Sequence, residues 1–550
     1  MAKGPEHATS GAVASGDDLS SSGRRAPLGG HDDQRGPASD PAARGVGGSR
    51  ASRRQTLRWG RGTVLSAPQD PRGLARVLTE SAFACWVAAL VWAGESRGGR
   101  KRVRVVSGRV WIDQLVERPP SAPHPHAEEA RRGALAEFGS STYAAARIDW
   151  AGARGIFAAA QRKGRSFSSS KRRFAMDVLT FLVRQERTVA QVLTEAGLPD
   201  SSGRERVERA RFLAALVLFG GLPPSQVDWQ GPPVDWDAVA DPRHCLEGWF
   251  RRTGPSPALQ LAVFGSLPDW LARRLLDAPD PVGLVASLNR RGPICLRVNR
   301  PASTRDELVA ELEGATPCTL AAGGVVLPNH MDARALPALA EGRADIQDEG
   351  SQLIVELAAP QPGERVIDAC AGALGKSLAI ASSQEDKGEV IATDVRKDAL
   401  RRGLKRARKA GYHSVRTVEI GSVRGPADLV LVDAPCTGTG ALRRRPWTRW
   451  SVHAGDLSRL AELQSEILQR SARWVGPDGR LVYATCSLLA EENEEVVTAF
   501  LRRNPGWVLQ PSAEILGAER ADEIGSSGVL RLYPHIHGTD GFYAAVLRRS

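Results

Sequence analysis

The fold of this chain is decided by ERVIDAC (364–370), GEVIATD (388–394), ADLVLVDAP (427–435) and GRLVYATC (479–486). Each segment is apolar, rich in β-branched residues and bounded by Gly or Pro, as is typical of a buried strand. Three helical segments separate them, SLAIASS (377–383), DALRRGLKRARKAG (398–411) and DLSRLAELQSEILQRSARWV (456–475). This alternation predicts an α/β fold with a doubly wound, Rossmann-like parallel sheet.

Two further parts are predicted before this sheet. Between residues 121 and 280 apolar residues recur at three- and four-residue spacings, which predicts an all-helical domain. The strands PICLRVN (293–299) and GGVVLPN (323–329) flank the capped helix STRDELVAELEG (303–314), which predicts a small α+β domain over 285–345. The sheet domain then covers 346–550.

Residues 1–120 form an unassigned N-terminal extension. The first 60 or so are rich in Gly, Ser, Pro and Arg and are predicted to be disordered. Either translation starts further downstream, or the extension is a basic RNA-binding tail. The sequence leaves both interpretations open.

Charge and cysteine content limit the class of protein. The 550 residues carry 74 Lys and Arg against 62 Asp and Glu, a net charge of +12 that favours a polyanionic partner such as nucleic acid. Seven cysteines without a C-x-x-C pair favour a reducing cytoplasm over a disulfide framework or a zinc site. No segment reaches the roughly 20 apolar residues of a membrane span. The sequence therefore predicts a soluble, cytoplasmic protein with neither a membrane nor a metal as partner.

The chemistry is expected at the carboxyl ends of the strands, where open parallel sheets bind their ligands. A loop of small residues follows Asp368, and Asp394 ends the next strand, where it suits a ribose diol or simply caps the following helix. Two other segments lead to Cys436 and Cys486. A single cysteine at a strand end is usually a small buried hydrophobe, but two on separate strands indicate a reaction site.

The motifs around these cysteines carry a family resemblance. DAPCTGTGALRRRP (433–446) and LVYATCSLLAEENEEVV (481–497), with QDEGSQ (347–352) and HGTDGFYAAVLRR (537–549), resemble the Nop/Sun-type (RsmB-like) S-adenosylmethionine-dependent RNA cytosine-5 methyltransferases. The resemblance is strong over 285–550 and weaker over 128–280, which looks like the NusB-like RNA-binding domain of those enzymes. It implies that the small α+β domain is an RNA-recognition-like domain that helps to hold the RNA.

The resemblance also implies a reaction and the residues that perform it. A methyl group would pass from S-adenosylmethionine to carbon 5 of a cytosine in RNA, with ribosomal RNA favoured over transfer RNA and the protein acting as a monomer. Cys486 would be the nucleophile, Cys436 would assist product release and Asp433 would hold the edge of the base. Three arginines after the cysteine loop would contact RNA: Arg443, Arg444 and Arg445. The implied cofactor-binding residues are Cys370, Ala371, Gly372, Ala373, Leu374, Gly375, Lys376, Asp394, Glu419 and Asp433.

Three departures from the family pattern leave a second function open. Leu374 stands where the family has Gly, and it is expected to strain the turn or crowd the cofactor. Trp447 and Arg445 replace the acid and the Asn of an R-R-N-P-D segment, and Glu419 is a poorly placed substitute for a missing third-strand Asp. The alternative is therefore a cofactor-impaired RNA-binding or ribosome-assembly factor. The basic run over 396–409 is either a solvated helix face or a phosphate-tracking surface.

Overall fold

The computed structural model describes residues 55–59, 63–67, 124, 126–127, 169–329 and 331–550. The chain divides into one unit that ends at Leu74 and a second from Ala75 to Ser550. In the first unit, strands β1 (Gln55–Trp59) and β2 (Thr63–Ala67) pair antiparallel, so the prediction of disorder over the first 60 or so residues is wrong for β1. The rest of the extension over 1–120 lies outside the described residues.

Helices occupy the chain from Ser169 to Asn289, as the apolar spacing predicts. They are α1 (Ser169–Glu195), α2 (Arg204–Leu218), α3 (Trp236–Ala240), α4 (Pro242–Thr253), α5 (Pro257–Phe264), α6 (Asp269–Leu275) and α7 (Pro281–Asn289). Side chains of Asp235, Ser256 and Asp280 accept hydrogen bonds from the first turns of α3, α5 and α7, which fixes where those helices begin. The NusB-like character of this region and its boundary at 121 stay predictions.

The small α+β part has the predicted strands and helix. It contains β3 (Ile294–Val298), α8 (Arg305–Glu311), β4 (Thr316–Pro317), β5 (Gly324–Leu327), α9 (Pro337–Ala340) and β6 (Ala344–Ile346). The sheet order is β4-β5-β3-β6, with every pair antiparallel. Thr304 and Glu307 form a reciprocal capping box at the start of α8, as the Ser/Thr cap in the sequence indicates.

The C-terminal part is built on a large sheet. Its first half contains α10 (Glu349–Ala358), β7 (Arg365–Asp368), α11 (Gly375–Ser383), β8 (Glu389–Ala392), α12 (Lys397–Lys409), β9 (Val415–Thr417) and β10 (Ala427–Asp433). Its second half contains α13 (Thr448–Ser451), α14 (Ala454–Ser471), β11 (Val475–Thr485), α15 (Glu494–Arg503), β12 (Trp507–Gln510), α16 (Ser512–Leu516), α17 (Ala518–Glu523), β13 (Leu530–Leu532), α18 (Pro534–His537) and β14 (Phe542–Arg549).

The sheet confirms the Rossmann-like prediction and adds antiparallel strands to it. The order is β12-β14-β11-β10-β7-β8-β9, and the five strands from β11 to β9 are parallel. β14 is antiparallel to β11, β12 and β13, so the sheet is mixed at one side. The chain moves from β7 through β8 to β9 in one direction and from β10 to β11 in the other. The topological switch point therefore lies between β7 and β10.

Alternate strand residues supply two apolar layers. Val366, Val390 and Leu429 face the layer that contains α10, α11 and α12, whereas Ile367, Ile391 and Val430 face the layer that contains α14 and α15. Helices thus cover both faces, which is why these strands read as continuous apolar runs.

The helical region and the sheet part are packed together. Leu442, Leu457, Leu489 and Tyr533 belong to the same apolar cluster as the helices between 169 and 289. The segment after Cys436 therefore lies against both parts. Among the described residues, no helix combines the length and apolarity that crossing a membrane requires.

Candidate active site

The site lies at the switch point, where the carboxyl ends of β7, β10 and β11 meet. Asp368 ends β7, Asp433 ends β10 and Thr485 ends β11, so the loops that follow these residues share one edge of the sheet. The backbone N–H of Ala434 donates to the carbonyl of Ala484, which extends the β10–β11 pairing up to the two cysteine loops.

The two predicted catalytic cysteines face each other. The Sγ atoms of Cys436 and Cys486 are 3.3 Å apart, and both residues are half-buried. The hydrogen bond with Cys436 lowers the pKa of Cys486, although burial and the charge of Asp433 oppose it, and the positive charges of Lys376 and Arg445 also lower it. The same hydrogen bond and burial hold the pKa of Cys436 well above its usual range. Cys486 is therefore the more acidic thiol of the pair, which suits the predicted nucleophile.

An ion pair between a buried lysine and a half-buried aspartate lies beside the thiols. Lys376 Nζ is 2.7 Å from Asp433 Oδ2 and 5.7 Å from the centre of the Phe542 ring. Burial would lower the pKa of Lys376, but the carboxylate of Asp433 outweighs it and the net shift of the pKa is upward. Lys376 thus keeps its charge, so the predicted cofactor lysine and the predicted base-holding aspartate form one unit.

Asp368 was not predicted as a site residue, yet it lies under this ion pair. Its side chain is buried, Oδ2 accepts a 2.7 Å hydrogen bond from Ser377, and Oδ1 has no hydrogen-bond partner. Burial raises the pKa of Asp368 to about 7. The acid at the end of a strand and the hydroxyl nine residues later are the sequence signals that could have identified it.

A buried polar network fixes the cysteine loops. Glu492 Oε1 accepts from the backbone N–H of Thr437 at 2.8 Å and from the amide of Gln464 at 3.0 Å. The backbone N–H of Gly440 donates to the carbonyl of Cys486, and Gly440 approaches Gly541 so closely that a Cβ atom would lie 2.8 Å from the Gly541 Cα. Only glycine fits at position 440, because any side chain would push the Cys436 loop away from the Gly541 backbone at the start of β14.

The predicted cofactor loop closes against the end of β8. The backbone N–H of Ala371 donates to the Thr393 carbonyl, and that of Gly372 donates to Asp394 Oδ2 at 2.7 Å. The half-buried Cys370 and the residues Ala373, Gly375 and Lys376 continue this loop into the first turn of α11. Asp394 therefore holds the loop through a backbone bond and is not the cap residue of α12, which is Arg396.

Leu374 has the strained backbone that was expected of it, but its side chain does not lie where it was expected. It adopts the strained left-handed conformation with φ of 64°, as the family's Gly predicts. Its side chain does not crowd the loop, however, because it is buried against α12 at Gly403, where a Cβ atom would come within 2.8 Å of the Leu374 Cβ. The absence of a side chain at Gly403 provides this space, and the effect of Leu374 on the cofactor stays a prediction.

Next to Asp394 lie a cation and an exposed apolar side chain. The Arg396 guanidinium donates to both Asp394 oxygens, at 3.1 and 3.2 Å, and Val395 between them is 81% exposed. Glu419 follows β9, where its exposed carboxylate pairs with Lys397 at 2.6 Å. Val395 was missed by the sequence reasoning, and its only signal was its position directly after the strand-ending acid.

The three arginines predicted to contact RNA are not equivalent. Arg443 is buried and pairs with Asp540 at 2.5 Å, and Arg444 pairs with Asp540 and with Asp348. These side chains have internal carboxylate partners, and their assignment to RNA stays a prediction. Arg445 is exposed and remains available.

The following residues connect this segment to the helices. Arg449 is 1% exposed, and its guanidinium donates to the Asn289 side chain at 2.6 Å and to the carbonyls of Gly265 and Leu288. The indole of Trp450 donates to Val183 at 2.8 Å, and Trp447 packs against the helical core. The tryptophan that replaces the family's acid thus has a packing role at this contact.

Comparisons with known proteins agree with the site. Residues 355–548 match the model of the 16S rRNA methyltransferase RsmB/F family. The chain is similar to the ribosomal RNA small subunit methyltransferases B of Salmonella arizonae (37% identity over 282 residues, 46% of this chain and 64% of the relative) and Vibrio cholerae (36% over 299 residues, 52% and 65%). It spans slightly less than two thirds of these relatives.

A solved structure shows the same fold. The crystal structure of PH0851 matches 76% of this chain and all of its own length, with a TM-score of 0.58 and 23% sequence identity. In the part of the chain that the structure describes, no three His, Cys, Asp or Glu side chains are grouped to hold a metal ion. The match to a methyltransferase family model supports S-adenosylmethionine as the cofactor. The sheet, the paired thiols and the family match lead to one conclusion: residues 355–548 are similar to the methyltransferase domain of the RsmB/F family.

Proposed function

We propose that this protein transfers a methyl group to carbon 5 of a cytosine in ribosomal RNA, through a covalent adduct between Cys486 and carbon 6. The observation that carries the proposal is the Cys436–Cys486 pair, 3.3 Å apart, beside the Lys376–Asp433 ion pair. Ribosomal RNA is favoured over transfer RNA because the relatives are named for the small-subunit RNA. Action as a monomer in the cytoplasm stays a prediction.

The residues at the β7 and β8 ends fit the cofactor. Each oxygen of the Asp394 carboxylate accepts one hydrogen bond from the Arg396 guanidinium. The two hydroxyl groups of a ribose would offer the same pattern of two donors to one carboxylate. The exposed Val395 provides an apolar surface beside it for the adenine ring, and Glu419 lies at the neighbouring strand end. When bound, S-adenosylmethionine supplies an electrophilic methyl group on a positively charged sulfur.

Cys486 makes carbon 5 reactive. Addition of its thiolate to carbon 6 places electron density on carbon 5, which is otherwise a poor nucleophile. Asp433, held by Lys376 at 2.7 Å, would bind the base at ring nitrogen 3 or the exocyclic amine and stabilise the charge that develops there. After methylation, loss of the carbon 5 proton and elimination of the thiolate release the product.

Cys436 is suited to assist that release. Its pKa is raised, so its thiol keeps a proton next to the sulfur that must leave as a thiolate. Donation of that proton, or of a hydrogen bond, stabilises the Cys486 thiolate as the carbon–sulfur bond breaks. The rival assignment as a cofactor-impaired binding factor drew on three departures from the family pattern, and for one of them, Leu374, the side chain packs against Gly403.

The test is a covalent trap. The Cys436→Ala variant, incubated with S-adenosylmethionine and small-subunit ribosomal RNA transcribed without modifications, should accumulate a protein–RNA band on a denaturing gel. The band should disappear in Cys436→Ala/Cys486→Ala and should not form with Cys245→Ala, which removes a buried thiol from the helical region. No band with Cys436→Ala, when the protein binds both RNA and the cofactor, would contradict the covalent mechanism.

A further inference from the structure

Helix α12 is divided into an apolar face and a cationic face. Ala399, Leu400, Gly403 and Ala407 are buried against the sheet. Arg401, Lys405, Arg408 and Lys409 are exposed, and their spacing of four, seven and eight residues places them along one side of the helix. We call these four side chains the cationic stripe; it is about 12 Å long at 1.5 Å per residue.

The nearby carboxylates are already paired with other cations. Asp398 pairs with Arg402, Glu419 with Lys397, Asp394 with Arg396 and Asp345 with Arg406. Within the described ranges, the four side chains of the cationic stripe form no ion pair with any carboxylate. Cations three and four residues apart repel one another, so the stripe is a concentrated positive charge without an internal counter-charge.

The stripe is fixed to the cofactor side of the site. Arg406, on the same helix, donates to the carbonyl of Ala373 at 2.9 Å, and α12 begins directly after the Asp394–Arg396 turn. β8, which leads into α12, lies three strand positions from β11, which carries Cys486, or about 15 Å at the usual strand spacing. A polyanion that runs along this edge of the sheet from the site would therefore reach the start of α12, four residues before Arg401, within a few nucleotides.

We propose that the cationic stripe binds the phosphate backbone of the substrate RNA beside the target cytosine. The proposal rests on the proposed function, since it names the surface that positions that substrate. Two of the stripe residues are arginines, which suit phosphate oxygens, and Arg445 in the cysteine loop is a further exposed cation. A helix face that was merely solvated would bind RNA no better than any other exposed pair of arginines.

The experiment compares two matched charge reversals in the full chain. Arg401→Glu/Arg408→Glu alters the two arginines of the stripe. Arg502→Glu/Arg503→Glu makes the same change in net charge at the end of α15, which points away from the strand ends that form the site. Binding to unmodified small-subunit ribosomal RNA is measured as a function of salt, together with affinity for S-adenosylhomocysteine.

The stripe variant should bind RNA at least tenfold more weakly at low salt, with a slope of log K against log salt reduced by about two. Its affinity for S-adenosylhomocysteine should equal that of wild type. Equal RNA affinity and slope in the two variants would overturn the proposal, and Arg401→Gln/Arg408→Gln repeats the test if the reversal disturbs folding. RNA binding that depends on the stripe, without methyl transfer by wild type, would keep the surface and reject the proposed function.

Discussion

Two buried groups of arginine lie five residues apart and are neutralised in different ways. Arg443 and Arg444 face the carboxylates of Asp348 and Asp540, which come from the start of α10 and the residues before β14. Arg449 has no carboxylate in its hydrogen-bond set and is surrounded by main-chain oxygens at the ends of α5 and α7 and by Asn289. The first arrangement uses full charges, and the second uses the partial negative charge of helix C-termini.

The two sets of arginine contacts connect different parts of the protein. The carboxylate pairs join segments of the sheet part, from Pro293 to Asp540, around the loop that carries Cys436. The dipolar contacts join that loop to the helices between 169 and 289. Burial lowers the pKa of Arg449 to about 9, so it stays charged at neutral pH, whereas the pKa of Arg444 is raised by its two carboxylates despite burial.

Arg444→Met should produce the largest loss of stability. It leaves Asp348 and Asp540 close together with one buried cation, and removal of one partner from a buried pair costs about 3–5 kcal/mol. Asp540 already has a raised pKa, from burial and from Asp348, and loss of Arg444 raises it further above the unfolded value. The deficit relative to wild type should therefore be larger at pH 8 than at pH 5, as measured by urea unfolding at both pH values.

Arg449→Met should cost less, about 2 kcal/mol, because it leaves polar acceptors without a donor but no unpaired charge. The Gly265 carbonyl keeps a 3.0 Å bond from Asn289, which limits the loss further. The deficit should be equal at pH 5 and pH 8, since no carboxylate shares these bonds. If the loss of unfolding free energy in Arg449→Met grew with pH as in Arg444→Met, Arg449 would not differ from Arg444 in how its charge is neutralised.

Asp368→Asn tests a buried carboxyl group, one oxygen of which has no hydrogen-bond partner, in the same way as the two arginine variants test buried cations. A pKa of about 7 in the folded state, above the unfolded value, means that wild type loses stability as the pH rises from about 4 to 7. The asparagine variant does not lose stability in this way. Its free energy of unfolding relative to that of wild type should therefore rise by more than about 1 kcal/mol between pH 5 and pH 8. Urea unfolding of both proteins across this range measures the difference, and parallel pH profiles would show that Asp368 is ionised throughout.

Glu419→Gln should have the smallest effect, because its pair with Lys397 is exposed to solvent. We expect an unchanged unfolding midpoint and a less than threefold weaker affinity for S-adenosylhomocysteine, measured by calorimetry. A tenfold loss of affinity would show that Glu419 is a principal cofactor ligand. The exposure of its side chain would then not predict its contribution to cofactor binding.

The sequence predicts what is local and misses what depends on distant partners. The four apolar segments became β7, β8, β10 and β11, and the cysteines that follow two of them meet because adjacent parallel strands end at one edge. The internal role of Arg443 and Arg444 was not predictable, because their partners lie about a hundred residues away in the sequence. The antiparallel β14 was missed because its segment was interpreted only as a family motif and not as a strand.

The contact between Leu374 and Gly403 makes the order of substitutions matter during evolution. Leucine in the cofactor turn is accommodated only while the facing helix position lacks a side chain. A lineage can restore glycine at 374 first and then acquire alanine at 403, but the reverse order passes through an intermediate in which both side chains occupy one space. The two positions should therefore change together across relatives, with glycine retained in at least one of them.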